Sequence, residues 1–152
     1  ALNPKSWQGY LNLGKLLASQ GKLPEAERAL SQEVAIRPND AEGQYELGLV
    51  LGRESKSKEA LAHVGRATEL RPDNAEMLAT LGYLWGENGR PKEAYDAFRQ
   101  SLEIDPKNAR AIEGAKMLVN AVAEMKRAAT TRSTTTRSTP AIPTRPTSGP
   151  AK

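Results

Sequence analysis

Hydrophobic and polar positions along the chain repeat with a period of 34 residues. Apolar residues recur at helical spacing within each period, and the same residue types return in four registers. The registers are Pro4, Pro38, Pro72 and Pro106; Ser6, Asp40, Asn74 and Asn108; Gly14, Gly48 and Gly82; and Ala26, Ala60 and Ala94. A fixed period of this length indicates a solenoid built from stacked units.

These registers predict where helices begin and end. Short Ser, Asp and Asn side chains accept hydrogen bonds from the free amides of a first helical turn, so the second register predicts four N-caps. The prolines two residues earlier end the preceding helix. Gly21, Ser55 and Gly89 occupy equivalent places where a first helix ends in a left-handed conformation. We therefore expect two helices in each unit.

The expected first helices lie near residues 7–20, 41–54 and 75–88, and the second helices near 24–37, 58–71 and 92–105. The glycines of the third register are expected to face the alanines of the fourth. Small residues at both places let the two helices of one unit approach closely.

The chain resembles the tetratricopeptide repeat family, whose 34-residue unit carries the pattern W-x2-L-G-x2-Y, A-x3-F, P. The third unit is the best match, with Leu78, Leu81, Gly82, Trp85, Ala94, Phe98 and Pro106. The resemblance implies an all-α fold: a right-handed α-α superhelical solenoid of three tetratricopeptide helix-turn-helix repeats plus a C-terminal capping helix. Gln44 departs from the usual large apolar residue. Glu33 stands where Ala67 and Ser101 indicate a small one, so looser packing is expected at the first interface between repeats.

The predicted organisation has six parts. Residues 1–6 are interpreted as the end of a preceding repeat, with a natural start as the alternative. Repeats 1, 2 and 3 occupy residues 7–40, 41–74 and 75–108, a capping helix occupies 109–128, and a disordered Thr/Ser/Pro/Arg-rich basic tail occupies 129–152. An apolar stripe of Ile112, Ala115, Val119 and Val122 supports the capping helix. Residues 130–152 include 8 Thr, 3 Ser and 4 Pro. This segment therefore contains too few apolar side chains to form a core.

The net charge of +4 lies entirely in the predicted tail. Residues 1–129 hold 18 Lys plus Arg and 18 Asp plus Glu, whereas the later charges are Arg132, Arg137, Arg145 and Lys152. The repeats are thus neutral, and no specific nucleic-acid partner is expected. Ser133 and Ser138 each follow an Arg, which is compatible with kinase sites, and the Thr and Pro content suits O-glycosylation; an unmodified linker is favoured over both.

The sequence offers little for catalysis or metal binding. It contains no Cys and one His, His63, which is interpreted as structural or solvated. No phosphate-binding glycine loop is present, and the longest apolar run, residues 47–51, is too short to span a membrane. We therefore expect no catalytic residues, no cofactor and no metal. A cytoplasmic monomer is favoured, and a periplasmic or secreted location stays open because position 1 is Ala.

The resemblance implies a concave face lined by the first helices that binds a peptide or helix of a partner protein. The residues of this predicted groove are Gln8, Leu11, Lys15, Glu42, Tyr45, Leu49, Arg53, Glu76, Ala79, Tyr83 and Glu87. Family members that grip the C-terminal carboxylate of heat-shock chaperones use Lys, Asn and Arg at positions that here hold Leu11, Lys15, Glu46, Glu76 and Thr80. A register one repeat later gives Tyr45, Leu49, Thr80, Arg110 and Gly114, so the clamp is absent in both.

The acidic rim of this groove favours apolar or basic partners over a free carboxylate. The function expected from the resemblance is a non-enzymatic scaffold for protein–protein interaction. The alternative is a substrate-recruiting arm of a larger enzyme, such as a glycosyltransferase or a kinase.

Overall fold

The computed structural model describes residues 6–135, which are helical apart from short turns. The helices are α1 (Trp7–Ser19), α2 (Leu23–Ile36), α3 (Ala41–Arg53), α4 (Ser57–Leu70), α5 (Ala75–Glu87), α6 (Pro91–Ile104) and α7 (Ala109–Thr135). Each end of the first six helices lies within one residue of its predicted position. The described residues contain no strand, and the all-α repeat fold is confirmed.

The predicted helix caps are present. The side chains of Ser6, Asp40, Asn74 and Asn108 accept hydrogen bonds from the backbone amides of Gly9, Glu42, Met77 and Ala111, over 2.9–3.3 Å. The first helices end before Gly21, Ser55 and Gly89, whose φ angles are 74°, 62° and 73°. Glycine reaches this left-handed region without steric cost, whereas Ser55 adopts it with a side chain present. The caps explain why the helix boundaries follow the 34-residue period.

The two helices of each repeat pack as a close pair, α1 with α2, α3 with α4 and α5 with α6. A Cβ atom added at Gly14 would lie 2.4 Å from Leu30 Cγ, and one at Gly48 would lie 2.5 Å from Val64 Cγ2. A Cβ atom at Gly82 would lie 2.5 Å from the Phe98 ring. The expected close approach is confirmed, although the side chain that fills the space comes one turn after the predicted alanine.

Successive repeats are joined by α2 against α3 and α4 against α5. The expectation of looser packing at the first junction is wrong, because Glu33 is 0% exposed and fills space that Gly43 leaves empty. At the second junction the sizes are reversed: Ala67 is the small residue and Met77 the large one, and both are buried. The two junctions thus reach close packing with opposite distributions of volume.

The last helix is longer than predicted. It continues to Thr135 instead of ending near residue 128, so the first seven residues assigned to the tail are helical. Ala128 and Ala129 have high helix propensity, and extending an existing helix costs much less than starting one. Two compact units meet within α7: the first ends at Leu118 and the second begins at Val119.

The predicted apolar stripe of α7 contributes unequally to packing. In the first unit Ala115 packs against the cluster around Phe98, as does Leu118, which was not part of the predicted stripe. In the second unit Val119 and Val122 are 58% and 38% exposed. Residues 1–5 and 136–152, which include most of the predicted tail and Ser138, lie outside the described residues.

Candidate peptide-binding groove

The first-repeat end of the predicted groove is an ion-pair cluster between α1 and α3. Lys15 Nζ lies 2.7 Å from Glu42 Oε1 and 3.6 Å from Glu46 Oε1. The hydrogen bond to Glu42 raises the pKa of Lys15, and burial raises the pKa of Glu46. The charge of this lysine is therefore balanced within the protein, which leaves it poorly suited to hold an anionic ligand.

Arg53 is likewise engaged within the fold. Its Nη1 donates a hydrogen bond to the backbone carbonyl of Ala18 over 2.8 Å, which links the C-terminal ends of α3 and α1. The same carbonyl accepts a hydrogen bond from the Gly21 amide over 3.1 Å, and it lies at a helix end, where a positive charge is favourable.

The middle of the groove is held by a polar cluster centred on Thr80. The Tyr45 hydroxyl lies 3.0 Å from Thr80 Oγ1, and Arg110 Nη1 donates to the same oxygen over 3.0 Å. Arg110 Nε also lies 3.1 Å from Glu76 Oε1. Burial raises the pKa of Tyr45, whose ring is half-buried. This tyrosine therefore contributes to packing between α3 and α5 as well as to the surface.

An open pocket of about 440 Å³ lies where α5 faces the start of α7, lined by Tyr83, Glu87, Ala109, Arg110 and Glu113. The Tyr83 hydroxyl donates to the backbone carbonyl of Arg110 over 3.2 Å, and its ring meets Phe98 edge-on at 5.2 Å. Burial raises the pKa of Tyr83.

The charges of this pocket are unequally balanced. Arg110 is paired with Glu76, whereas the one contact of Glu87 with another described side chain is a hydrogen bond that it accepts from Ser57 Oγ, at 3.2 Å. Glu113 has no ion-pair partner among the described side chains. Two carboxylates without an ion-pair partner thus flank an aromatic ring, and the one cation among the described lining residues, Arg110, is engaged with Glu76, a combination that favours a cationic or aromatic group.

The predicted groove residues differ in accessibility. Gln8, Lys15, Arg53, Glu76 and Glu87 are exposed, and Glu42, Tyr45, Leu49 and Tyr83 are partly exposed. Leu11 and Ala79 are 5% and 0% exposed, because both pack against core residues, and they present almost no surface to a ligand. Sequence reasoning considered Arg110 only as a clamp position and left both Arg110 and Glu113 out of the predicted groove. Extending the 34-residue register from Glu76 and Ala79 into α7 would have found them.

The single histidine has a structural role. His63 Nδ1 lies 2.7 Å from Gln44 Oε1, and Gln44 Nε2 donates to the backbone carbonyl of Pro38 over 2.9 Å. Burial lowers the pKa of His63, so the neutral ring is favoured. This chain of contacts explains the polar residue at position 44, where the family pattern has a large apolar one.

The described residues contain neither a cluster suited to a metal ion nor a membrane-crossing helix. No group of three or more His, Cys, Asp or Glu side chains is arranged to hold a metal ion within residues 6–135. Within the same range, no helix combines the length and apolar character that crossing a bilayer requires.

Comparison with known structures identifies proteins of the same fold. A crystal structure of MamA matches with a TM-score of 0.76 and 23% identity, covering 80% of this chain and 71% of that chain. The first tetratricopeptide domain of Spaghetti, solved with the HSP90 peptide SRMEEVD, matches with a TM-score of 0.75 and 18% identity, covering 80% and 96%. The Thermobaculum terrenum O-GlcNAc transferase matches with a TM-score of 0.69 and 24% identity, covering 74% of this chain but 22% of the enzyme.

At these identities the structural likenesses establish the fold alone. No curated protein matches the sequence. The sequence model of the family described as "Tetratricopeptide repeat" matches residues 1–41 and 45–109, which together make up more than half of the chain. Repeats of this family are typically modules for protein–protein interaction. The helix order, the caps, the close glycine contacts and this match agree, and the chain belongs to the tetratricopeptide repeat family.

Proposed function

We propose that this protein is a non-enzymatic interaction scaffold that binds a basic or apolar peptide segment, or a helix, of a partner protein along the groove of α1, α3 and α5. The partner does not present a free C-terminal carboxylate as its main anchor. The accessible groove residues named above form the binding surface, extended at its end by Arg110 and Glu113.

The observation that supports this proposal most strongly is the state of the groove cations. Lys15 is held by two carboxylates, Arg53 by a backbone carbonyl and Arg110 by Glu76. A carboxylate ligand would have to displace these contacts and would meet the acidic side chains around them. A basic ligand meets Glu87 and Glu113 directly, beside the ring of Tyr83.

A direct test uses labelled synthetic peptides and fluorescence polarisation at low salt. The probes are a basic peptide of alternating Lys and Leu, its Glu-for-Lys counterpart, and an acidic peptide with a free C-terminus. We expect the basic peptide to bind most tightly, and we expect Glu87→Gln combined with Glu113→Gln to weaken it about tenfold, since two exposed ion pairs contribute about 1–2 kcal/mol.

The matched control is Glu69→Gln, which removes a carboxylate on α4 whose side chain is 68% exposed and which lies outside the groove. This change should leave binding as it is. Tightest binding by either acidic peptide, or equal effects of the control and the double variant, would contradict the proposal.

A natural partner can be sought by affinity capture and mass spectrometry with Tyr83→Ala as the comparison. Tyr83 is preferable to Tyr45 for this purpose, because Tyr83 lines the open pocket, while truncation of either tyrosine removes one internal hydrogen bond.

The alternative function, a substrate-recruiting arm of a larger enzyme, is favoured by one observation. The matched part of the O-GlcNAc transferase is a fraction of that enzyme, so the same fold occurs inside a catalytic protein. In this case the groove would bind the substrate protein of a linked catalytic domain. The sequence of the full open reading frame distinguishes the two proposals.

A further inference from the structure

A buried carboxyl group lies at the junction between the first two repeats. Glu33, on α2, is 0% exposed, and neither of its carboxyl oxygens has a hydrogen-bond partner among the described residues. Its Oε2 occupies the place of a side chain at position 43, since a Cβ atom on Gly43 would lie 1.7 Å away. An ionised carboxylate here would have neither water nor a donor to stabilise it.

Both acidic and basic side chains lie around this carboxyl group, and the acidic ones come from the start of α3. Asp40, the N-cap of α3, favours the protonated form of Glu33 both by repulsion and as a nearby acceptor, and Glu42, in the first turn of α3, acts by repulsion. Arg37, at the C-cap of α2, attracts it but is already within 3.3 Å of Asp40 Oδ2. On the side of α1, Lys15 is engaged with Glu42 and Glu46. Burial, followed by repulsion from Asp40, raises the pKa of Glu33 to about 7.

The equivalent places at the later junctions carry no titratable group. Ala67 and Met77 form a buried apolar pair between repeats 2 and 3. Ser101 occupies the third place, and its hydroxyl donates to the backbone carbonyl of Ala75 over 2.6 Å. Among these three positions, only the first junction therefore combines close packing with a proton-binding group.

We propose that Glu33 is a proton-operated latch between repeats 1 and 2: its neutral carboxyl packs against Gly43 and holds α2 on α3, and its ionisation loosens this junction. Loosening also disturbs the first-repeat end of the groove, a consequence that rests on the proposed function. The latch itself is independent of any ligand.

The direction of the pH effect follows from proton binding. An ordinary glutamate has a pKa of 4.5, so between that pH and about 7 the folded junction binds a proton that the separated chain does not. Stabilisation by Glu33 is complete below the lower value and is lost as the pH rises through the upper one. Between the two values the equilibrium constant for separation of repeat 1 rises about tenfold per pH unit, on the order of 100-fold in all, and above the upper value it no longer changes.

The two tryptophans allow repeat 1 to be observed by itself. Trp7 lies under the guanidinium of Arg37, whose carbon is 3.9 Å from the ring centre, next to the latch. Trp85 lies in repeat 3 and packs around Phe98. In the full chain carrying Trp85→Phe, urea unfolding followed by fluorescence therefore reports the first repeat, and the Trp7→Phe chain reports the third.

Urea unfolding is measured at about pH 5 and about pH 8.5 for the parent chain and for two variants. The first variant is Glu33→Gln. The second is Glu33→Ala combined with Gly43→Met, which copies the Ala67 and Met77 pair into the first junction. In the parent chain we expect the urea midpoint of the Trp7 transition to be lower at the higher pH. The midpoint of the Trp85 transition should change much less. Both variants should lose this dependence. What remains is the smaller contribution of His63, which has the opposite sign because burial lowers its pKa.

The proposal is overturned if the Trp7 midpoint of the Glu33→Gln chain still falls at the higher pH. It is also overturned if the Trp85 midpoint of the parent chain falls by as much as the Trp7 midpoint. If circular dichroism shows that Glu33→Gln does not fold, the variant with Glu33→Ala and Gly43→Met provides the test. If that variant folds and its Trp7 midpoint still falls at the higher pH, the proposal is overturned. These measurements involve no peptide, so they stand whether or not the groove binds one.

Discussion

The same substitution, Gly→Ala, should have opposite effects at two helical positions of this protein. Gly65 lies within α4, and a Cβ atom there would meet nothing within 4 Å. Gly114 lies in α7, and a Cβ atom there would lie 2.3 Å from Phe98 Cζ. The Phe98 ring is 3% exposed and also fills the space beside Gly82, where an added Cβ atom would lie 2.5 Å from Phe98 Cε1. Because the ring is almost fully buried, it has little open space into which it could move away from a new methyl group.

The expected magnitudes follow from two opposing terms. Alanine is favoured over glycine inside a helix by about 1 kcal/mol, so Gly65→Ala should raise the free energy of unfolding by about that amount. Gly114→Ala gains the same term but adds a methyl group to a filled site, and overpacking costs about 1–3 kcal/mol. The net change at Gly114 is a loss of up to about 2 kcal/mol.

The assay is urea unfolding followed by far-ultraviolet circular dichroism, with Phe98→Leu as the test of mechanism. Leucine removes the ring atoms nearest to the new methyl group, at its own cost of about 1 kcal/mol or more. In that background Gly114→Ala should become neutral or stabilising, which gives a coupling of about 1–3 kcal/mol between the two positions. Equal stabilisation by alanine at both glycines in the parent chain, or zero coupling to Phe98, would refute the reasoning.

Two further predictions concern a cap and a histidine. Asn74→Ala removes the acceptor of the Met77 amide and should lower the free energy of unfolding by about 1 kcal/mol, measured by urea unfolding against Glu69→Ala on an exposed helix face. In the Glu33→Gln chain, the free energy of unfolding should decrease as the pH falls through the ordinary His63 value of 6.5, because burial lowers the pKa of His63 and the unfolded chain binds the proton more readily. His63→Gln should remove that acid-side loss, and its persistence would assign the effect to another group.

Much of the fold was predictable because its determinants are local. Asp40 caps α3 through an amide two residues away, and Gly21 ends α1 through its own backbone conformation. Such features depend on residue type and short spacing, so the 34-residue period locates six helices to within one residue. The end of α7 was misjudged, because residues 129–135 were assigned to the tail by composition, while the structure continues the helix through them.

The accessibility of the candidate groove residues was only partly predictable from the sequence. The register places Leu11 and Tyr83 alike on first helices, yet Leu11 is buried and Tyr83 lines an open pocket. The difference arises from which side chains of neighbouring helices cover each position. Glu113 enters the pocket because α7 packs beside α5, which depends on the stacking of repeats.

The sequence by itself determined the family, the helix boundaries, the caps and the balance of charge between repeats and tail. These follow from residue types at fixed spacings, since a helix start or a left-handed turn is decided within a few residues. The tertiary structure alone decided that Glu33 is buried without a partner, that Gly43 makes room for it, and that Gly114 must be small beside Phe98. Their partners are 10 to 16 residues away along the chain, and only close packing of whole helices brings them into contact.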